Sequence, residues 1–252
     1  MAAEKGTGAR VVKKKKPTSS RGFYILLALV IIVGGVWIGT MDNKPKAPNV
    51  RDVDVTAAQA EGYAIGNPKA PVQVLEFADF ECPACGQFST VTEPDVRTRL
   101  AATGKIGYRF YDFPLPMHKN TITASLAAAC ANEQGKFWEM HDALFFNQPE
   151  WSTQATDNPT KFFAQYAGQM GLDMPKWKEC MAAQRHLTTI IANRKEGERR
   201  GVGQTPTFII GRKAVAGSIG YDEFKARVDS AAAAAPPAPA AAPVAPAPKK
   251  KP

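Results

Sequence analysis

From Gly22 to Met41 the chain runs 20 residues without a charged side chain. As a helix such a run is about 30 Å long, the hydrocarbon thickness of a bilayer. A segment of this kind does not join a water-facing core, so it divides the chain before any fold is considered. It reads as a retained single transmembrane anchor rather than a cleaved secretory signal, because the MDNKPK after Thr40 offers no small-x-small cleavage site. Seven basic residues against the single acid Glu4 precede it within residues 1–22. The positive-inside rule therefore keeps residues 1–21 in the cytoplasm as a basic tail and exports the chain beyond about residue 42.

The remaining ends carry no chemistry. Residues 42–60 are polar and Pro-containing and read as a linker, and residues 231–252 hold 11 Ala and 7 Pro, a disordered, extended tail that cannot bury a core. The basic start and Lys249, Lys250 and Lys251 account for the whole formal net charge of +9. The intervening part is neutral, which argues against a nucleic-acid partner. Residues 61–230 are left as one domain without an internal repeat.

Within it, Pro71–Phe77 (PVQVLEF) suits a buried strand, the residues from Pro83 to about Ala102 a helix, and Ile106–Phe113 a second strand. Ile122, Leu126 and Cys130 recur at four-residue spacing in a further helix, and FWEMHDALF comes after Gly135 as another. Helices at about 158–170 and 174–196, a hairpin over Thr207–Ala216 turning at Gly211-Arg212, and a closing helix at YDEFKARV complete the order. Without the helical insertion at about 114–200, the remainder is βαβ and then ββα.

The segment FADFECPACGQF places Cys82 and Cys85 three positions apart around Pro83. Proline is well accommodated in the first turn of a helix, which puts Cys82 at the helix start, where free N–H groups and the dipole favour a thiolate. Cys85, one turn on, points inward and can close a small disulfide ring, so one sulfur attacks and the other resolves. A zinc site needs two more ligands in reach. Cys130 and Cys180 are single, and His118, His141 and His186 form no spaced pair and read as surface or core-edge residues.

The stretches GNPKAPVQVLEFADFECPAC, GKFWEMHDALF and VGQTPTFIIG resemble the DsbA-like thiol–disulfide oxidoreductases of the thioredoxin superfamily, in particular their membrane-anchored bacterial branch. The resemblance covers about residues 61–230. It implies an α/β thioredoxin fold with an inserted α-helical domain, Cys82 as nucleophile, Cys85 as resolving thiol, and a cis-proline at Pro206 with Gln204 and Thr205 beside it in a substrate-binding loop. It places Glu76 where the family carries a buried acid, able to accept the Cys85 proton; an exposed edge position is the other reading. One departure is Ala84, which stands where the strongest oxidases of the family have histidine. The direction of exchange is therefore open between an oxidase, which leads, and an isomerase or reductase. A non-catalytic chaperone or binding module on the same scaffold is the reading from another class.

Cys130 and Cys180, both on apolar-spaced stretches of the insertion, are expected to pair as a structural disulfide in an oxidising compartment. The implied partners are reduced exported proteins and a membrane redox partner that resets the dithiol. No cofactor or metal is expected. The implied location is the bacterial cytoplasmic (inner) membrane, single-pass, with the catalytic domain outside.

Overall fold

The computed structural model describes residues 50–52 and 60–235. The run 22–41, the basic tail and most of residues 42–60 and 231–252 lie outside the described residues. Among the described residues no helix is long and apolar enough to cross a membrane.

Strand β3, Val72–Ala78, organises the sheet. Its pleat sends Val72, Val74 and Glu76 to one face and Leu75 and Phe77 to the other, and both faces are covered. It pairs in parallel with β4, Ile106–Asp112, and antiparallel with β5, Thr207–Ile210. Antiparallel β6, Lys213–Ala216, succeeds β5 through a turn in which Gly211 has φ +61°, a backbone angle glycine adopts without a Cβ penalty. Two further strands sit at the edges. β2, Tyr63–Gly66, pairs with β4, and β1, Val50–Asp52, pairs with β6 from within the stretch read as a linker. The order is β1-β6-β5-β3-β4-β2.

The helical limb of the βαβ unit is not the single helix expected over Pro83–Ala102. Helix α1, Pro83–Val91, and α2, Glu93–Val96, meet at Thr92, and a π-helical turn over Arg97–Ala101 comes next. Pro94 has no N–H to carry an unbroken ladder through this point. The insertion holds α3 (Thr121–Asn132), α4 (Phe137–Phe146), the short α5 (Gln148–Trp151), α6 (Thr160–Gln169), α7 (Met174–Ala183) and α8 (Leu187–Arg199). The last two were expected as one helix. Gln184 caps α7 at φ 48°, in the left-handed region, which ends the α ladder before α8 begins. Helix α9, Tyr221–Ala233, closes the domain and runs three residues into the Ala-rich stretch.

Among the described residues three apolar clusters result. Phe88, Val96 and Leu100 from the helical limb and Phe224 and Val228 from α9 cover the sheet face of Val72 and Val74. Phe77, Tyr111, Phe113 and Ile209 form the opposite face. There α8 approaches closely: a Cβ at Gly197 would lie 2.6 Å from the Phe113 ring and 2.8 Å from Phe77, so glycine is required by contact. The third cluster fills the helical insertion and reaches Phe80, Cys82 and Cys85 at the carboxyl end of β3.

Candidate active site

Cys82 is the N-cap residue of α1, with extended backbone angles (φ −74°, ψ 122°) and Pro83 as the first helical residue. Its amide donates to Asp79 O at 3.0 Å, and its sulfur lies 3.5 Å from the carbonyl oxygen of Thr205, across the start of β5. The Thr205–Pro206 bond is cis. The loop before β5 thus lies against the sulfur, and Cys82 is less open than a free helix end suggests: 7 % of the residue is exposed, against none of Cys85. The two are free thiols in the structure.

The pair is electrostatically unequal. Cys82 is held down to about 6, chiefly by the hydrogen bond from the Cys85 thiol; burial opposes this, and Thr205 and the N–H groups of Cys85 and Ala84 assist. Cys85 is pushed well up by its burial and by donating to its partner, and the charge of Glu76 adds to the rise. Glu76 is 1 % exposed, so the edge reading does not hold; β4 and β5 flank it. Burial pushes its carboxyl up to about 7, and the Tyr108 hydroxyl, donating to Oε2 at 2.5 Å, opposes that rise. A low thiolate, a high buried thiol and a carboxyl poised near neutrality are together what dithiol exchange requires: an attacking sulfur, a resolving sulfur and a proton acceptor.

Several groups at the site carry no signal in the local sequence. Asp79, just past β3, accepts from Glu81 N (2.7 Å), Leu115 N (2.7 Å) and His118 Nδ1 (2.8 Å). Glu81 accepts from the amides of Asn120, at 2.9 Å, and Thr153. Gln148 in α5 donates to Phe80 O (2.7 Å) and Cys82 O (3.0 Å), so the insertion grips the loop that presents the sulfur. The Asp79 hydrogen bond holds His118 above the usual imidazole range, and the charges of Asp79, Glu81 and Cys82 act in the same direction. An imidazole is therefore supplied to the site from the loop after β4 although position 84 is alanine. His141, expected at the surface or core edge, is instead fully buried, ringed by Phe80, Phe110, Trp138 and Phe145.

Away from the dithiol, Cys130 on α3 and Cys180 on α7 are joined, with S–S 1.97 Å and Cα–Cα 5.8 Å. Glu133, Cys180 and His186 cluster nearby, but the disulfide occupies the sulfur that would ligate a metal. Gln204 is exposed at the rim of the loop, and its carbonyl accepts from the Thr207 hydroxyl at 2.7 Å.

A family model described as thioredoxin matches residues 58–230. The chain belongs to the thioredoxin family. Among similar proteins, the Na(+)/H(+) antiporter NhaA 1 of Salinispora arenicola is 35 % identical over 181 residues, which are 71 % of this chain and 26 % of that protein. The chain thus spans about a quarter of the length of such relatives. "Probable disulfide bond formation protein D" of Bacillus cereus is 26 % identical over 147 residues, 56 % of this chain and 65 % of that protein. The crystal structure of Wolbachia pipientis alpha-DsbA1 superposes with a TM-score of 0.63 at 20 % identity, over 71 % of this chain and 94 % of that one. This thioredoxin-family domain therefore shares its fold with alpha-DsbA1.

Proposed function

We propose that the domain is an extracytoplasmic thiol–disulfide oxidoreductase that introduces disulfides into exported proteins. In this reading residues 22–41 anchor it in the cytoplasmic membrane, residues 61–230 act outside, and a membrane redox partner reoxidises the dithiol. The observation that carries it is the inequality of the two thiols at the start of α1, one held down to about 6 and the other well up, beside a buried carboxyl.

The geometry supports the following cycle. In the oxidised form a substrate thiolate attacks the Cys82 sulfur; the Cys82–Cys85 bond breaks and Cys85 leaves as a thiolate that takes a proton. A second substrate thiolate then attacks the substrate sulfur of the mixed disulfide and expels Cys82, which leaves readily because its thiolate is stabilised. Running the steps backwards reduces a substrate disulfide, with Glu76 taking the proton from Cys85. The loop at Gln204, Thr205 and Pro206 borders the sulfur and offers main-chain groups to an extended substrate segment.

Ala84 favours a second reading, a disulfide isomerase or reductase, because a thiolate near 6 is less stabilised than in the strongest oxidants. Equilibration of the Cys82–Cys85 pair with glutathione decides between them. The oxidase reading expects a potential well above the roughly −270 mV of thioredoxin, toward the roughly −120 mV of the strong oxidant DsbA. A value at the thioredoxin end assigns the reductive direction. Failure both to oxidise a reduced peptide and to reduce insulin leaves only a binding module.

A further inference from the structure

The disulfide of the insertion has neighbours that a purely structural bridge does not call for. Cys130 and Glu133 stand three residues apart at the end of α3, on one face of the helix, and Cys180 lies in the last turn of α7. The left-handed cap at Gln184 turns the chain back there. Arg185 N donates to Cys180 O at 3.3 Å, and His186, the N-cap residue of α8, comes next to the sulfur. A carboxylate oxygen of Glu133, Sγ of Cys180 and a ring nitrogen of His186 all lie within 4.8 Å of one another. His186 Nε2 is 2.8 Å from Glu133 Oε1, and the S–S bond of 1.97 Å brings Cys130 Sγ to the same place. A disulfide sulfur is an uncharged, weak acceptor, and the cluster that encloses this one is otherwise apolar. The carboxylate and the imidazole therefore serve no need of the bridge itself.

They do complete a donor set. Two sulfurs, an imidazole and a carboxylate suit zinc, which takes thiolate at about 2.3 Å and nitrogen or oxygen at about 2.0–2.2 Å in a tetrahedron. Donor atoms on such a tetrahedron stand about 3.3–3.8 Å apart. Once the S–S bond no longer holds the sulfurs together, the cluster reaches that spacing with shifts on the order of 1 Å at the side-chain tips. Charge balances as well. Two thiolates and the Glu133 carboxylate oppose a divalent ion and the guanidinium of Arg185, whose Nη2 is 3.2 Å from Glu133 Oε2 and fixes that carboxylate from outside. An entry path exists on the same side: the Glu133 and His186 side chains are 32 % and 28 % exposed, while both sulfurs are fully enclosed. An ion reaches the sulfurs past these two side chains without opening the core.

We propose that Cys130, Cys180, His186 and Glu133 bind a zinc ion in the reduced chain, and that the zinc site and the disulfide are alternative states of one place in the insertion. Each thiol gives up its proton as the ion binds. Oxidised glutathione converts one state into the other. One of the two thiolates attacks a glutathione sulfur, and the first glutathione thiolate leaves. The second cysteine attacks the mixed disulfide, the Cys130–Cys180 bond forms, and the second glutathione thiolate leaves. Two electrons pass from the cysteines to glutathione, whose thiolates each take a proton from water, and zinc departs with its charge unchanged. Cys82 and Cys85 have no part in this, so the proposal stands or falls independently of the oxidoreductase reading.

The test uses the full chain carrying Cys82→Ser and Cys85→Ser, which removes the other two of its four cysteines. The protein is reduced in denaturant and refolded without oxygen, and zinc is titrated in competition with a chromophoric chelator. The reduced chain is expected to bind one zinc ion and the oxidised chain none. Cobalt(II) in place of zinc should show the intense ligand-field bands of a tetrahedral site together with thiolate-to-metal charge transfer. His186→Ala and Glu133→Gln alter partly exposed side chains and are each expected to weaken zinc binding about a hundredfold, the upper end of what loss of a supporting partner alone costs. Oxidised glutathione should release one zinc ion for each pair of thiols lost. Equal binding by the oxidised chain, a cobalt spectrum without thiolate charge transfer, or parental affinity in both variants would overturn the proposal. If the reduced chain refolds incompletely, recovery of its helical circular dichroism on adding zinc supports the site, because binding then drives folding, and no recovery overturns it.

Discussion

The Tyr108 hydroxyl donates to Glu76 Oε2 across 2.5 Å between two adjacent parallel strands, with both side chains 1 % exposed. The phenol replaces part of the hydration that burial removes from the carboxylate, so it favours the ionised form. Tyr108→Phe removes the donor without changing the ring. The expected outcome is a Glu76 carboxyl above about 7, seen as an upward move of its C=O absorption in an infrared titration. An unmoved band would show that the hydrogen bond does not set the proton affinity of this group.

The same carboxyl makes stability depend on pH in a definite direction. Its folded value, about 7, lies above the ordinary 4.5, so the unfolded chain ionises first. Stability attributable to Glu76 is fully present below about pH 4.5 and is lost as pH rises through 7. The difference corresponds to about 3 kcal/mol. Glu76→Gln should therefore gain on the parent as pH rises from 4.5 to above 7 in denaturant melts, by an amount of that order. A constant offset between the two across this window would contradict the assignment.

Cys82 works in the opposite sense. Held at about 6 from an ordinary value of 9.0, its thiolate stabilises the reduced form fully above pH 9, and that contribution is lost as pH falls through 6. Alkylation of the reduced protein by iodoacetamide should trace a single titration with its midpoint near 6 and modify Cys82 alone, because Cys85 is enclosed and pushed well up. Equal labelling of the two sulfurs, located by mass mapping, is the result that fails.

His118 should tune that midpoint. The Cys82 charge helps to raise the imidazole, and the effect between two charges is mutual. His118→Ala is expected to move the alkylation midpoint of Cys82 upward by less than about one pH unit, since the larger influences on the sulfur come from Cys85 and Thr205. A downward move would mean that the imidazole does not act on the sulfur as a cation.

The parts of this site that the sequence discloses are those whose chemistry is local. Cys82, Pro83 and Cys85 declare a dithiol at a helix start because the helix positions are three residues apart, and the apolar run before them declares β3. Glu76 is half legible: an acid in VQVLEF signals cost, but only the flanking strands decide that it is buried. Asp79, Glu81, His118 and Gln148 are silent because these partners lie 36 to 72 residues away in the chain, across the insertion. His141 is misleading for the same reason, since its aromatic enclosure is assembled from the loop after β3, from β4 and from α4 at once. The break at Gln184 and the short strand β2 are likewise set by packing rather than by periodicity.

The bond between Cys130 and Cys180 spans 50 residues and ties α3 to α7 inside the core of the insertion, where both sulfurs are fully enclosed. A crosslink of that span restricts the unfolded chain by about 4 kcal/mol on the chain-entropy model. For a domain of this size each kcal/mol corresponds to about 2–4 °C, so Cys130→Ala/Cys180→Ala should melt about 8–16 °C lower than the oxidised parent. Enclosure also separates the two bridges kinetically. Dithiothreitol should open Cys82–Cys85 in the native state, where the loop at Thr205 leaves Cys82 its small exposure, while Cys130–Cys180 resists until the insertion unfolds. Timed acid quenching and mass mapping track both reactions. Reduction of Cys130–Cys180 at the rate of the first bridge would show that the insertion opens without global unfolding, and the loss in melting temperature should then fall short of the range given.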